Sequence, residues 1–296
     1  MSIVREPLLS PRVLSMLERL ELEARKPLRG HSQGERRSRR RGRSAEFADF
    51  RPYVAGDDLR FLDWNGFARL DRLFSKLYLD EEDVSLYLLL DISRSMGFGE
   101  PTKLYRAKQL AAALAFIALG HSDRVRVLTL GSGPCPPPPA WRGRASYQRL
   151  AAHLESLEAT GSGGLAASLR DFQARDPAPG IVVLISDLLD KQGYEHALRL
   201  LIARRMDVHV VQLLAAEELE PSLEGDVRLV DSEDGETIEI TSNRALLERY
   251  RATLTAYVAE LRQFCARREI GHSLVSNQEP VENIVRTHLR ARGPVR

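Results

Sequence analysis

Four short apolar runs constrain this chain more than any other feature: Ser85 to Leu90, Val125 to Leu130, Ile181 to Ile185 and Val208 to Leu214. Helical patterns separate them, at Lys103 to Leu119, Ser146 to Leu157, Leu165 to Phe172 and Tyr194 to Ala203. Apolar strands alternating with amphipathic helices imply βαβ crossovers, and therefore a parallel sheet whose faces the helices cover. The expected fold class is α/β, a doubly wound, mostly parallel sheet flanked by helices. The chain has 296 residues, of which 43% are hydrophobic. That is enough apolar surface for a full core plus an appendage.

The appendage is expected at the N-terminal end. Ser10 is placed to cap a helix that Pro11 begins, with Leu14, Met16, Leu17, Leu20 and Leu22 at helical spacing as far as Lys26. From Gly30 to Ser44 the sequence turns to glycine, serine and arginine, which cannot form a core and should be an exposed loop. It holds Arg36, Arg37, Arg39, Arg40, Arg41 and Arg43, a local asymmetry in a chain whose formal charge is only +2. Gly131 to Ala140 is proline-rich and reads as an irregular loop. Val227 to Val230 and Thr237 to Ile240 read as a hairpin turning at Asp234-Gly235. Asn243 should cap a long helix to about Arg268, followed by a strand at His272 to Val275 and a terminal helix or tail beyond Pro280. The domains expected are an N-terminal segment over 1–83, the α/β domain over 84–276 and a C-terminal tail or helix over 277–296.

Several classes are disfavoured. The apolar run Leu110 to Leu119 is well short of the roughly 20 residues a spanning helix needs, and MSIVREPLLSPRV has no apolar signal core, so a cytoplasmic location is expected. Cys135 and Cys265 form no CxxC and have no histidine pairing suited to zinc, which argues against a disulfide framework.

The chemistry is concentrated in Leu88-Leu89-Leu90-Asp91-Ile92-Ser93-Arg94-Ser95-Met96-Gly97. An apolar strand ends in a carboxylate and two hydroxyls follow at steps of two, so one loop can aim three oxygens at one point. Hard cations take such ligands, and open α/β sheets carry their sites at this edge. Ile185-Ser186-Asp187 ends a second strand in the same way. If the two strands are neighbours, Asp187 faces Asp91 across the crevice. The bland alternative is a strand-to-helix turn in which serine and aspartate merely cap the next helix.

Asp91-Ile92-Ser93-Arg94-Ser95 resembles the DxSxS element of the metal-ion-dependent adhesion site (MIDAS) of von Willebrand factor A (vWA) domains, and Asp187 matches the aspartate that ends a later strand. Upstream, the run from Glu46 and Phe47 through Arg51, Tyr53, Gly56, Asp57 and Arg60 to Asp63-Trp64 resembles the EF, RxYxxGDxxR and IDW signature of the bacterial DUF58 family. The resemblance implies a docking site. A divalent cation, Mg²⁺ or else Mn²⁺ or Ca²⁺, would be held by Asp91, Ser93 and Ser95, supported by Asp187, with a position left for a partner's carboxylate. It also implies a partner of the MoxR-type AAA+ ATPase class, in a chaperone-like or protein-maturation system. The chain departs from the pattern at Gly163, which stands where a threonine ligand is usual, with Thr160 and Ser162 near enough to substitute. Arg51, Arg60, Asp57 and Asp63 read as a structural cluster around a Gly-Asp turn, with Trp64 expected to be buried beside them.

No enzyme is expected. A strand ending in aspartate also opens phosphatases of the haloacid dehalogenase type, but those need a second aspartate where this chain has Ser93. GxSxG, P-loop and HExxH motifs are absent, and the histidines are scattered. Two rival readings stay open. A nucleic-acid-associated protein would use the basic loop Arg36 to Arg43, although no aromatic stacking residue accompanies it. A metal-free scaffold would keep the fold and use another surface.

Overall fold

Seven consecutive residues, Ser85 to Asp91, are buried without a break, because a strand covered on both faces has no polar side to present. They form an interior strand of the main sheet. The computed structural model describes residues 7–24, 46–54, 59–79, 85–131, 139–161, 164–175, 177–202, 206–222, 225–290 and 293–296. In chain order the elements are α1 (Pro11–Leu17), β1 (Glu46–Pro52), α2 (Trp64–Leu70), β2 (Phe74–Leu79), β3 (Ser85–Asp91), α3 (Lys103–Gly120), β4 (Arg124–Leu130), β5 (Trp141–Arg142), α4 (Tyr147–Glu155), α5 (Leu165–Ala174), β6 (Ile181–Ser186), α6 (Glu195–Ile202), β7 (Asp207–Leu214), α7 (Ala216–Leu219), β8 (Gly225–Val230), β9 (Thr237–Ser242), α8 (Arg244–Ala266), β10 (Gly271–Ser276) and α9 (Val281–Asn283). The chain divides into two compact units, residues 1–30 with 84–296 and residues 31–83.

The larger unit is built on a six-stranded sheet of order β10-β7-β6-β3-β4-β5. Every pairing is parallel except that of the short edge strand β5. Alternate residues of β3 feed two cores. Leu86, Leu88 and Leu90 join α1, α3, α4 and the C-terminal segment, while Tyr87 and Leu89 join α5, α6 and α8. The sheet is therefore covered on both faces, the mixed α/β, doubly wound arrangement that the alternation of runs predicts. Helix α3 is apolar nearly all round, with Leu110 to Leu119 buried, because it has the sheet on one side and α1 and α4 on others. Among the described residues, no helix is long and apolar enough to cross a membrane. The loop 132–138, including Cys135, lies outside the described residues.

The N-terminal end departs from expectation. Helix α1 stops at Leu17 instead of reaching Lys26, because the next residues pair in extended form with the C-terminus. Leu22 bridges Val295, and Glu21 and Arg296 exchange backbone hydrogen bonds of 3.1 and 2.9 Å. Beyond Pro280 the helical alternative holds, with α9 running on into a π-helical turn over Ile284–Leu289, and Val281, Ile284, Val285, Leu289 and Val295 are buried in the core shared with α1 and α3. Residues 1–30 thus fall with the α/β unit and not with 31–83.

In the smaller unit, β1 and β2 pair antiparallel from Glu46 opposite Leu79 to Pro52 opposite Phe74, so Glu46 and Arg51 sit on a strand. The intervening segment is pinned by Tyr53 N–H to Leu73 C=O at 2.9 Å and by Asp63 N–H to Phe74 C=O at 2.8 Å. Arg60 lies in a single 3₁₀ turn. Trp64 is not buried as expected: it opens α2 and is 60% exposed, because a two-stranded ribbon with a seven-residue helix encloses no interior wide enough for an indole. Gly56, Asp57 and Arg36, Arg37, Arg39, Arg40, Arg41 and Arg43 lie outside the described residues.

Candidate metal centre

Strands β3 and β6 are parallel neighbours with Leu90 opposite Ile185, so Asp91 and the Ser186-Asp187 pair leave the sheet together at its carboxyl edge. Chain order reverses here: β4 adds to one side of β3 and β6 to the other. This is the switch point where open α/β sheets form their crevice.

Asp91 is buried and fully engaged. One carboxylate oxygen accepts the Ser93 N–H at 2.9 Å and the other accepts the Ser186 hydroxyl at 2.5 Å. The first bond turns the chain so that Ser93 and Ser95 fall on one side, their Oγ atoms 3.0 Å apart. Gly161 fixes this turn from the neighbouring loop. Its N–H donates to Ile92 C=O at 2.9 Å and its C=O accepts the Arg94 N–H at 3.1 Å, bracketing Ser93. Only glycine fits, since a Cβ there would stand 2.7 Å from the Gly131 carbonyl oxygen and 3.0 Å from that of Ile92.

Asp187 is held by a group that the sequence reading did not single out. Lys103, at the first turn of α3, has no exposed surface, and its ammonium lies 2.8 Å from Asp187 and 2.6 Å from Glu218. A cation at a helix N-terminus opposes the helix dipole, so the two carboxylates are what keep it there. Burial alone would lower the Lys103 pKa, but Asp187 and then Glu218 more than offset this, and the net direction is upward. The other Asp187 oxygen accepts the Leu189 N–H at 3.1 Å. Between them Leu188 is buried in the left-handed region with φ 58°. Its C=O accepts the Tyr257 hydroxyl of α8, and its N–H donates to Ser186 Oγ at 3.0 Å. A non-glycine residue in that region is strained, and such outliers cluster at functional sites.

A cavity of about 20 Å³ opens between these loops, with Asp91, Ser93, Ser186, Asp187, Asp190 and Glu233 on its wall. That is room for roughly one water-sized species. Burial, and then the charge of Asp187, push the Asp91 pKa above the usual carboxylate range. Burial, then Asp91 and Asp187, do the same to Glu233, which reaches the rim from the β8–β9 turn. Asp190 takes a structural share, accepting the Leu165 N–H at 3.0 Å and so capping α5, whose own N-cap is Gly164.

Carboxylate and hydroxyl oxygens in an acidic, one-ion cavity fit a hard divalent cation such as Mg²⁺, Mn²⁺ or Ca²⁺. Adjacent oxygens of an Mg²⁺ octahedron with bonds of about 2.1 Å lie about 3.0 Å apart, the separation of the two serine oxygens. Among the described residues no group of three or more His, Cys, Asp or Glu side chains is arranged to hold a metal. The serine hydroxyls would therefore have to complete the ligand set. Of the residues singled out from sequence, Asp91, Ser93 and Asp187 line the cavity, and Ser95 joins through its bond to Ser93. Thr160 is exposed and off the cavity wall. Ser162 and Gly163 lie outside the described residues. Lys103, Gly161, Asp190, Glu218 and Glu233 emerge only in three dimensions. The one sequence signal among them is Lys103, a cation at the start of an otherwise alanine- and leucine-rich helix.

Fold and site together define an α/β protein of the doubly wound class with an acidic, hydroxyl-bearing pocket at its switch point. The chain belongs to the DUF58 family, described as "Protein of unknown function DUF58", whose model matches residues 49–260. Among its relatives are Uncharacterized protein Rv1480 of Mycobacterium tuberculosis and Uncharacterized protein Mb1516 of Mycobacterium bovis. Each is 28% identical over 265 residues, covering 88% of this chain and 83% of the relative. Among solved structures, the conserved hypothetical protein BatB from Bacteroides thetaiotaomicron aligns with a TM-score of 0.43 at 18% identity, over 70% of this chain and 98% of that one. An aerotolerance-related membrane protein from Bacteroides fragilis aligns with a TM-score of 0.40 at 17% identity, over 70% and 99%.

Proposed function

We propose that this protein is a non-enzymatic, metal-dependent protein-binding adaptor, in which a vWA-type domain carries a MIDAS at Asp91, Ser93 and Ser95. The observation that carries the reading is the Ser93–Ser95 oxygen pair, 3.0 Å apart beside a buried Asp91 at the switch point. A bound Mg²⁺, or Mn²⁺ or Ca²⁺, would supply an electrophilic docking point for a carboxylate of the partner. Asp91, Ser93 and Ser95 would hold it. Asp187, already committed to Lys103 and the Leu189 N–H, acts at one remove by setting the charge of the pocket. The Ser93 and Ser95 hydroxyls face each other and the Ser186 hydroxyl donates to Asp91, and among the described residues no histidine lines the cavity to serve as a general base. The resemblance to DUF58 sequences suggests a MoxR-type AAA+ ATPase as partner, in a chaperone-like or maturation system.

Calorimetric titration of Mg²⁺ and Mn²⁺ into the protein and into Asp91→Ala, with and without such an ATPase, tests this reading. Binding that vanishes in the variant and strengthens ATPase association is the expected result. A wild type that binds neither ion overturns it.

A metal-free scaffold is the second reading, favoured by one observation: both Asp91 oxygens and both Asp187 oxygens already have protein partners. It predicts partner binding that is indifferent to chelator. Nucleic-acid binding through Arg36 to Arg43 predicts affinity that ignores chelator and falls steeply with salt.

A further inference from the structure

The β8–β9 hairpin is poorly anchored along its length. Most residues of both strands are exposed, including Leu229, Val230 and Ile238, and among the described residues the two strands pair only with each other. A two-stranded hairpin of this kind is marginal alone, so its position depends on its tip. The tip carries four acidic residues, Asp231, Glu233, Asp234 and Glu236. Lys191, four residues beyond Asp187 on the loop after β6, pairs with three of them: Asp231 at 3.0 Å, Asp234 at 2.6 Å and Glu236 at 3.5 Å. The fourth, Glu233, lines the cavity with Asp91, Ser93 and Asp187. A long 3.5 Å contact from the Arg94 guanidinium to the Glu233 carbonyl adds a tie to the DxSxS loop itself.

We propose that the hairpin is a self-docking element, which sets the Glu233 carboxylate at the coordination position that a partner's carboxylate would take. The inference rests on the metal-site reading given above. Glu233 is the only carboxylate of the tip that is not in the Lys191 cluster, and it is brought against the like charges of Asp91, Asp187 and Asp190, to which its neighbour Asp231 adds. Such an approach is unfavourable without a cation and favourable with one. The latch is also built to yield. Lys191 is largely exposed, and exposed ion pairs contribute little, so an incoming acidic side chain with better packing can displace the tip. The partner chemistry that follows is a protein surface presenting an Asp or Glu, one that binds as the hairpin swings away and competes with Glu233 for the same position.

Hydrogen exchange of the amides of residues 232–236, with and without Mg²⁺, tests this in the wild type, Glu233→Gln and Asp91→Ala, beside calorimetric Mg²⁺ titration of each. Mg²⁺ should slow exchange of these amides by about tenfold in the wild type and leave it unchanged in the other two. Glu233→Gln should still bind Mg²⁺, about tenfold more weakly. In metal-free protein, Lys191→Met should speed exchange of the same amides a few-fold. If Mg²⁺ binds through Asp91 while the tip exchanges equally with and without it, and Glu233→Gln binds as tightly as the wild type or more so, the self-docking role is overturned and the metal site stands. A wild type that binds no Mg²⁺ overturns both.

Discussion

Replacing Lys103 with methionine should destabilise the protein and, on the proposed metal-site reading, raise its affinity for Mg²⁺. The ammonium has no exposed surface and sits between Asp187, 4% exposed, and Glu218, 18% exposed. Methionine keeps the length and most of the volume, so the change isolates the charge. Removing one partner of a buried ion pair costs about 3–5 kcal/mol, because the charge left behind is uncompensated. Glu218 is partly hydrated and relieves some of this, which puts the expected loss near the lower end, about 3 kcal/mol. At roughly 2–4 °C per kcal/mol for a chain of this size, the melting temperature should fall by about 6–12 °C. Trp141 is buried in the α/β unit, so its fluorescence in a Trp64→Phe background reports the melting of that unit. Deleting the cation also frees Asp187 for the pocket. Mg²⁺ affinity should then rise by about tenfold or more, and saturating Mg²⁺ should return part of the lost melting temperature. A variant that melts within about 1 kcal/mol of the parent would refute the stabilising role of the triad. A folded variant whose Mg²⁺ affinity drops would refute the competition between Lys103 and the metal for Asp187.

Gly161→Ala should cost about 1–3 kcal/mol, because every atom its Cβ meets within 3.0 Å is backbone and no side chain can rotate away. Since Gly161 brackets Ser93, the variant should also lose Mg²⁺ affinity in calorimetry while keeping its far-ultraviolet circular dichroism. His272, driven down to about 4 by burial and by Arg262, has a folded pKa below its ordinary 6.5. The unfolded chain therefore takes up the proton first. Stability present above pH 6.5 is lost as pH falls from 6.5 towards 4 and levels off below, by at most about 3 kcal/mol. The ring's Nε2 lies 3.2 Å from Gln212 Oε1 and its buried Nδ1 has no hydrogen-bond partner, so a second proton finds no acceptor. Denaturant melts from pH 7 to pH 4 on wild type and His272→Gln check this, and equal pH profiles for the two would remove His272 from the account.

Local pattern determined much of this protein. The apolar runs become β3, β4, β6 and β7, the Asp234-Gly235 turn joins β8 to β9, and Asn243 caps α8 through the Leu246 N–H at 2.9 Å. Each of these needs only neighbours a few residues away, which is why side-chain period and turn chemistry suffice to read them. Asp91, Ser93 and Ser95 were legible for the same reason, since a strand end and two steps of two lie within five residues. What tertiary structure decided is everything that depends on strand order. Nothing in the sequence places β6 rather than β7 beside β3, yet that choice alone brings Asp187 next to Asp91. Lys103 carried no assigned role in the sequence and is buried by packing between Asp187 and Glu218, and Glu233 reaches the pocket from a hairpin more than 130 residues along the chain. The end of α1 was misread by the same limit. The pairing of Leu22 with Val295 joins residues more than 270 positions apart, and the core around Val295 holds it in place. Sequence spacing specifies the direction of a side chain on its own element, while the charge and contact it meets there are set by whichever distant segment the sheet topology brings alongside.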